Sequence, residues 1–145
     1  MLTTVEKVLA LKSVELFERI SSEDLAGISL ITDIAVFETG ETVFEEGQLG
    51  DSLYILLDGK VRVHRGDRFI AEIGPGECFG EMAILDSSPR SASITCLMES
   101  TCLRIGREDF SDILAEKPEI SLGVIRVLTR RLRQALDERG VEAGQ

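Results

Sequence analysis

The stretch Phe79-Gly80-Glu81-Met82-Ala83-Ile84-Leu85-Asp86-Ser87-Ser88-Pro89-Arg90-Ser91-Ala92 sets a glycine, a carboxylate, a short apolar run and an arginine in one loop. Gly80 lets the backbone come close to a ligand. The turn that opens there leads into Met82-Ala83-Ile84-Leu85, read as one helical turn whose free N–H groups point back into the loop and favour an anion. Arg90 adds a bidentate, charge-assisted fork for phosphate oxygens, which a lysine does not reproduce. Pro89 fixes the backbone just before it, so less freedom is lost on binding. Ser91 offers a hydroxyl and an N–H to the same anion, and Ala92 is small enough for the chain to run close to the ligand. Singly, each of these residues has an ordinary surface explanation. Their joint order carries the chemistry.

A carboxylate beside an anion site needs its own reason, because it repels phosphate. Glu81 makes sense as the acceptor for a hydroxyl next to that phosphate. A ribose 2′-hydroxyl on a cyclised sugar phosphate meets this need, and a free monoester, with more negative charge, meets it less well. The residues point to a ribose and a singly charged phosphodiester held in a β-barrel pocket.

The loop has to be held by the elements around it. The first thirty or so residues read as helical: Val5, Val8, Leu9 and Leu16 recur at helical spacing, and Ser21 or Ser22 caps a second short helix. From about Ile34 to Ile105 short alternating or apolar runs follow, at Ile34–Val36, Thr42–Phe44, Leu53–Leu57, Lys60–Val63, Phe69–Ile73, Ser93–Cys96 and Cys102–Ile105. Glycine-rich turns separate them, with Asp58-Gly59 read as a type I′ hairpin. The pattern predicts a mainly β fold with flanking helices: an antiparallel β-roll or jelly-roll barrel. Glu108 to Leu114 reads as a short helix ended by Lys117-Pro118, and a long one follows from about Glu119 to Arg139, stopped by Gly140. Ile125, Leu128, Leu132 and Ala135 form a narrow seam that either pairs with another helix or packs on the β-core. The expected division is one domain over residues 1–145: N-terminal helices in 1–33, the β-roll in 34–106 with its loop at 79–92, and C-terminal hinge or lid helices in 107–139.

Composition narrows the function. The chain has 145 residues, 43% hydrophobic and 29% charged, enough for one domain with a real core. Sixteen basic against twenty-six acidic residues give a net charge of −10, which disfavours a nucleic-acid surface and requires any anion site to be locally positive. Cys78, Cys96 and Cys102 form no CxxC pair and read as buried, reduced thiols. His64 is the lone histidine and reads as a solvated edge residue, so no histidine-rich metal site and no nucleophile–base pair is expected. Without a membrane-length apolar run or a signal-like N-terminus, the expectation is a cytoplasmic, non-enzymatic protein with no metal and no direct membrane insertion.

The loop closely resembles the phosphate-binding cassette of cyclic nucleotide-binding domains, as in bacterial catabolite activator proteins, protein kinase A regulatory subunits and cyclic nucleotide-gated channels. Phe79-Gly80-Glu81 and Pro89-Arg90-Ser91-Ala92 match that pattern with its spacing. Gly47, Gly50-Asp51, Leu53-Tyr54, Asp58-Gly59-Lys60-Val61 and Gly74-Pro75-Gly76-Glu77 look like the family's glycine-punctuated strands, so the resemblance covers about Leu16 to Asp137.

The resemblance implies a regulatory module for cAMP, with cGMP kept open. Glu81 would take the ribose 2′-hydroxyl, and Arg90 the cyclic phosphate with the N–H groups of Ala83, Ser91 and Ala92. Gly80 and Met82 complete the cassette, Val63 and Ile70 would contact the base from the barrel, and Ala135 or Leu136 would face it from the long helix. Ligand would draw the loop inward, Leu85 or its neighbours with it, and reposition that helix. A homodimer through the same helix is a further expectation. No DNA-reading element fits before Gln145, so the effector is expected to be missing from this polypeptide or to lie on a partner, and the opening Thr3–Leu9 is similar to the lead-in of such modules when they sit at the end of larger bacterial proteins. The rival readings are a β-roll interaction module with no ligand and a cupin-like metalloenzyme, which one histidine cannot support.

Overall fold

The run Ser52–Asp58 is almost wholly apolar, Leu-Tyr-Ile-Leu-Leu behind Ser52, as befits a strand buried on both faces. Strand side chains alternate, and here each face has its own core. Leu53 and Ile55 pack with the helices, in a cluster with Leu11, Phe17, Leu103, Ile105, Phe110 and Ile120. Tyr54 and Leu56 turn inward among Val61, Ile73, Phe79, Ile94, Cys96 and Cys102. One strand therefore couples the helical layer to the barrel interior.

The fold is known from a computed structural model that describes residues 2–81, 85 and 87–143, with side chains described as far as residue 137. Helix α1 (Thr4–Lys12), a 3-10 turn (Glu15–Phe17) and α2 (Ser22–Ser29) lead into the barrel. Its strands are β1 (Thr32–Phe37), β2 (Thr42–Phe44), β3 (Ser52–Asp58), β4 (Val61–Arg65), β5 (Arg68–Ile73), β6 (Cys78–Phe79), β7 (Ser93–Cys96) and β8 (Ser100–Gly106). They form two four-stranded sheets, ordered β1-β8-β3-β6 and β2-β7-β4-β5, with every pairing antiparallel. Helices α3 (Arg107–Glu116) and α4 (Pro118–Ala143) follow. This is the expected β-roll with N-terminal helices and a long C-terminal helix.

Three local expectations are corrected. Asp58-Gly59 is no hairpin: β3 and β4 lie in different sheets, and only Gly59 of the two has positive φ, at 106°. The chain crosses between sheets there, and a Cβ on Gly59 would sit 2.3 Å from Ser100 Oγ, so glycine is required for that close crossing. The hairpin turn of this region is instead Gly66-Asp67 between β4 and β5, with Gly66 at φ 54° as a II′-type loop needs. Gly140 does not stop the last helix, which runs on to Ala143. His64 is not on an edge, since β4 lies between β7 and β5; its ring nitrogens reach Gly66 O at 2.8 Å and Thr95 Oγ1 at 2.7 Å.

The helix ends follow capping chemistry. Thr3 and Glu6 make a capping box on α1, and Ser21 caps α2 by accepting from Asp24 N. Pro118 opens α4, where its missing N–H costs nothing. Ile120, Val124 and Val127 seat α4 on the helical core, and Gly123 lets it approach the 3-10 turn: a Cβ there would lie 2.8 Å from Leu16 O. Arg130 pairs with Glu15 across the same contact. Among the described residues, no helix is long and apolar enough to cross a membrane.

Candidate nucleotide pocket

Arg90 is held before any ligand is considered. Its backbone is pinned to the preceding turn, donating to Gln48 O at 2.7 Å and accepting from Gly47 N at 2.9 Å, while Pro89 bridges Leu49. The side chain is 5% exposed. Nη1 donates to Gly80 O at 2.7 Å and Nη2 to Ser52 O at 2.8 Å, and the guanidinium carbon lies 3.9 Å from the centre of the Phe44 ring. Both carbonyls are neutral, and no described carboxylate forms an ion pair with Arg90. Burial pulls its pKa down from the ordinary arginine value, yet the group stays charged at neutral pH.

Gly80 follows β6 at φ 86°, and its role differs from the one read from sequence. A Cβ there would lie 2.6 Å from Arg90 Nη1, 3.2 Å from Ser52 O and 3.4 Å from the Phe44 ring. The missing side chain makes room for the Arg90 guanidinium. Ser87, at φ 59°, is the one non-glycine residue at positive φ among the described residues, and it lies in the same loop.

Glu81 is buried beside this cation, at 4% exposed. Its Oε1 is paired with Nη1 of Arg131 on α4, and Nη2 of the same arginine donates to Cys78 O at 2.7 Å. Arg131 was not foreseen, although it belongs to the basic run Arg126, Arg130, Arg131, Arg133 that stands out in an acidic chain. Helix register alone decides which member of that run faces the barrel.

A cavity of about 120 Å³ joins these groups, lined by Phe44, Val63, Phe79, Gly80, Glu81, Arg90, Ser91, Ala92, Ile73, Ile94 and Arg131. The structure thus brings together Gly80, Glu81, Arg90, Ser91, Ala92 and Val63. Ile70 does not join them: it is 48% exposed on β5 and absent from the lining. Ala135 and Leu136 are exposed on α4 and also lie off the cavity; the residue that α4 contributes is one turn earlier, at Arg131. Met82 and Ala83 lie outside the described residues.

Among the described residues, the cavity lining contains no cysteine or histidine. Cys78, Cys96 and Cys102 are free and buried, and burial pushes the thiols of Cys78 and Cys102 up to about 12. Among the described residues, no group of three or more His, Cys, Asp or Glu side chains could hold a metal ion.

The chain is similar to known proteins. The model of the cyclic nucleotide-binding domain matches residues 34–117. A CRP-like cAMP-activated global transcriptional regulator of Mycobacterium tuberculosis is 35% identical over 124 residues, covering 82% of this chain and 55% of the relative. A cGMP-dependent protein kinase of Toxoplasma gondii is 38% identical over 104 residues, covering 72% of this chain and 10% of the kinase. The catabolite activator protein of Thermus thermophilus superposes with a TM-score of 0.81 at 32% identity, over 89% of this chain and 63% of that one. The chain spans about half the length of the transcriptional regulator it matches. Matched through its barrel and its Glu81–Arg90 loop, the chain belongs to the family of cyclic nucleotide-binding domains.

Proposed function

We propose that this chain senses a cyclic nucleotide, with cAMP as the favoured ligand, in the cavity between Glu81 and Arg90. The observation that carries the reading is a guanidinium 5% exposed, facing a cavity with only neutral carbonyls as partners. A buried charge with no direct ion-pair partner is costly even with Asp51 and Glu81 nearby, and an anion seated in the cavity offsets that cost. Domains of this family are regulatory modules rather than catalysts, and the similar transcriptional regulator is named for its activation by cAMP.

The residues present fit such a ligand. Arg90 would hold the cyclic phosphate, with the N–H groups of Ser91 and Ala92 beside it. Arg131 occupies Oε1 of Glu81, and the second carboxylate oxygen would accept the sugar hydroxyl. Val63, Phe79 and Ile94 would pack against sugar and base. Apolar walls do not read base edges, so choice between adenine and guanine would fall to Ser91, Arg131 and the segment of α4 beyond it. The similar cGMP-dependent kinase keeps cGMP open as an alternative.

The cavity is smaller than the roughly 300–1,000 Å³ usual for a small-molecule pocket, so binding would require it to widen. Arg131 ties α4 to Glu81, so a ligand that rearranges Glu81 would shift the population of α4 positions, and Gly123–Leu16 and Arg130–Glu15 would carry the shift to the N-terminal turn. Leu122, Ile125, Leu132 and Leu136 stand 55–60% exposed at heptad spacing on the outer face of α4, an arrangement that supports self-association with a second copy. Sedimentation of wild type against Leu132→Glu tests this: a wild-type monomer at all concentrations contradicts it.

The primary test is Arg90→Ala. Its cAMP affinity should fall by about 2–5 kcal/mol, as for loss of one partner of a buried charge pair, with the circular dichroism spectrum unchanged. Unaltered affinity would remove Arg90 from the site.

A further inference from the structure

Arg90 binds nothing well unless its plane is fixed, and two carbonyls in that plane do not stop it tilting out. A guanidinium offers donors at its edge and a weakly hydrated face on each side. Phe44 covers one of those faces: Arg90 Cζ is 3.9 Å from the ring centre, well inside the roughly 6 Å reach of a cation–π contact. The ring is itself fixed. It ends β2, where the pairing with β7 shifts register and sets Phe44 opposite Ile94. It packs at 6.1 Å against both Tyr54 and Phe79, which stack on each other at 5.3 Å with planes 9° apart. Gly80 completes the fit, since the place its Cβ would occupy lies within 3.4 Å of both the ring and the guanidinium.

We infer that Phe44 is the positioning residue of the anion site: its ring clamps the guanidinium of Arg90 flat, so that the edge left free by Gly80 O and Ser52 O faces the cavity. The inference rests on the reading of Arg90 as the phosphate-binding group. Phe44 acts through Arg90 and therefore sets the affinity for phosphate rather than for sugar or base. It also makes the site demand arginine, because the stacked face belongs to a planar cation. A mere barrel-filling role predicts otherwise: leucine would then serve nearly as well, and any loss would fall on every ligand alike.

The test titrates wild type, Phe44→Leu, Phe44→Tyr and Phe44→Trp with cAMP and with adenosine, which keeps base and ribose but lacks phosphate. Phe44→Leu should weaken cAMP about thirtyfold, the size of one desolvated cation–π contact. Adenosine binding should stay unchanged, and Phe44→Tyr or Phe44→Trp should recover most of the cAMP affinity. In an Arg90→Lys background the same leucine substitution should cost less. Equal weakening of both ligands, or no rescue by the aromatic variants, overturns the inference while leaving Arg90 as the anion site. The ligand-free protein supplies an independent readout: the Arg90 side-chain resonances should be shifted by the Phe44 ring current and lose that shift in Phe44→Leu. Should wild type bind neither cAMP nor cGMP, the reading of Arg90 fails, and the ring-current shift then decides by its presence or absence whether Phe44 seats the guanidinium.

Discussion

Arg90 and Glu81 carry opposite charges into the same buried corner, yet Glu81 is paired by Arg131 and not by Arg90. That division leaves Arg90 without a direct ion-pair partner where a ligand phosphate would sit, and it depends on Gly80 leaving room. Gly80→Ala should therefore do two things at once. Holding a non-glycine residue at that φ costs about 1–3 kcal/mol of stability, and the added methyl pushes on Arg90 Nη1 from 2.6 Å. Urea unfolding should show the first loss and ligand titration a second of tenfold or more; intact binding would show that Arg90 has another way to sit. The Glu81–Arg90 pair is legible in sequence because the two residues share one loop. Phe44 and Arg131 are not: each reaches the site from a distant element, and nothing local in β2 or α4 marks the residue that arrives.

Elements that carry strong local chemistry are read well. Thr42–Phe44 and Ser93–Cys96 fall where alternation places them, and Ser21 caps α2. Strand β6 escapes, since two residues are too few to show a period. Asp58-Gly59 misleads because a glycine needed for a crossing between sheets looks the same in sequence as one needed for a hairpin. Helix α4 has a comparable ambiguity: its apolar residues divide between an inner stripe, Ile120, Val124 and Val127, and an outer one, Leu122, Ile125, Leu132 and Leu136. The inner stripe is held against the 3-10 turn through Gly123. Gly123→Ala gains about 1 kcal/mol of helix propensity, but it drives a methyl into the Leu16 backbone, an overpacking that costs about 1–3 kcal/mol. The melting temperature should fall; a rise would show that α4 is free to slide.

At the scale of the whole molecule, the acidic surface and the positive pocket work against each other. The net charge of −10 repels an anion at long range, while Arg90 and Arg131 supply positive charge at the cavity wall beside Glu81. The same burial that holds Arg90 also silences the thiols. Cys78 and Cys102 are raised from an ordinary 9.0 to about 12 in the fold. Between those values the unfolded chain loses protons that the folded chain keeps. Their contribution to stability is thus complete below about pH 9 and is lost as pH rises toward 12. Chemical denaturation at pH 7 and pH 10.5 should show the drop, and alkylation of the folded protein at pH 8 should be slow. Fast labelling of either thiol at pH 8 would contradict their placement. Net charge and the need for a locally positive anion site were legible in the sequence; the arrival of Arg131 was not, because it takes the fold to bring α4 against the loop.

Calorimetric titration of the wild-type chain with cAMP, its 2′-deoxy analogue and 5′-AMP tests the central claim most directly. The arrangement of Glu81 and Arg90 predicts saturable binding of cAMP, weaker binding of the 2′-deoxy analogue that cannot donate to Glu81, and weaker binding of the more highly charged monoester. Equal affinity for all three, or no heat of binding at millimolar cAMP and cGMP, would contradict it.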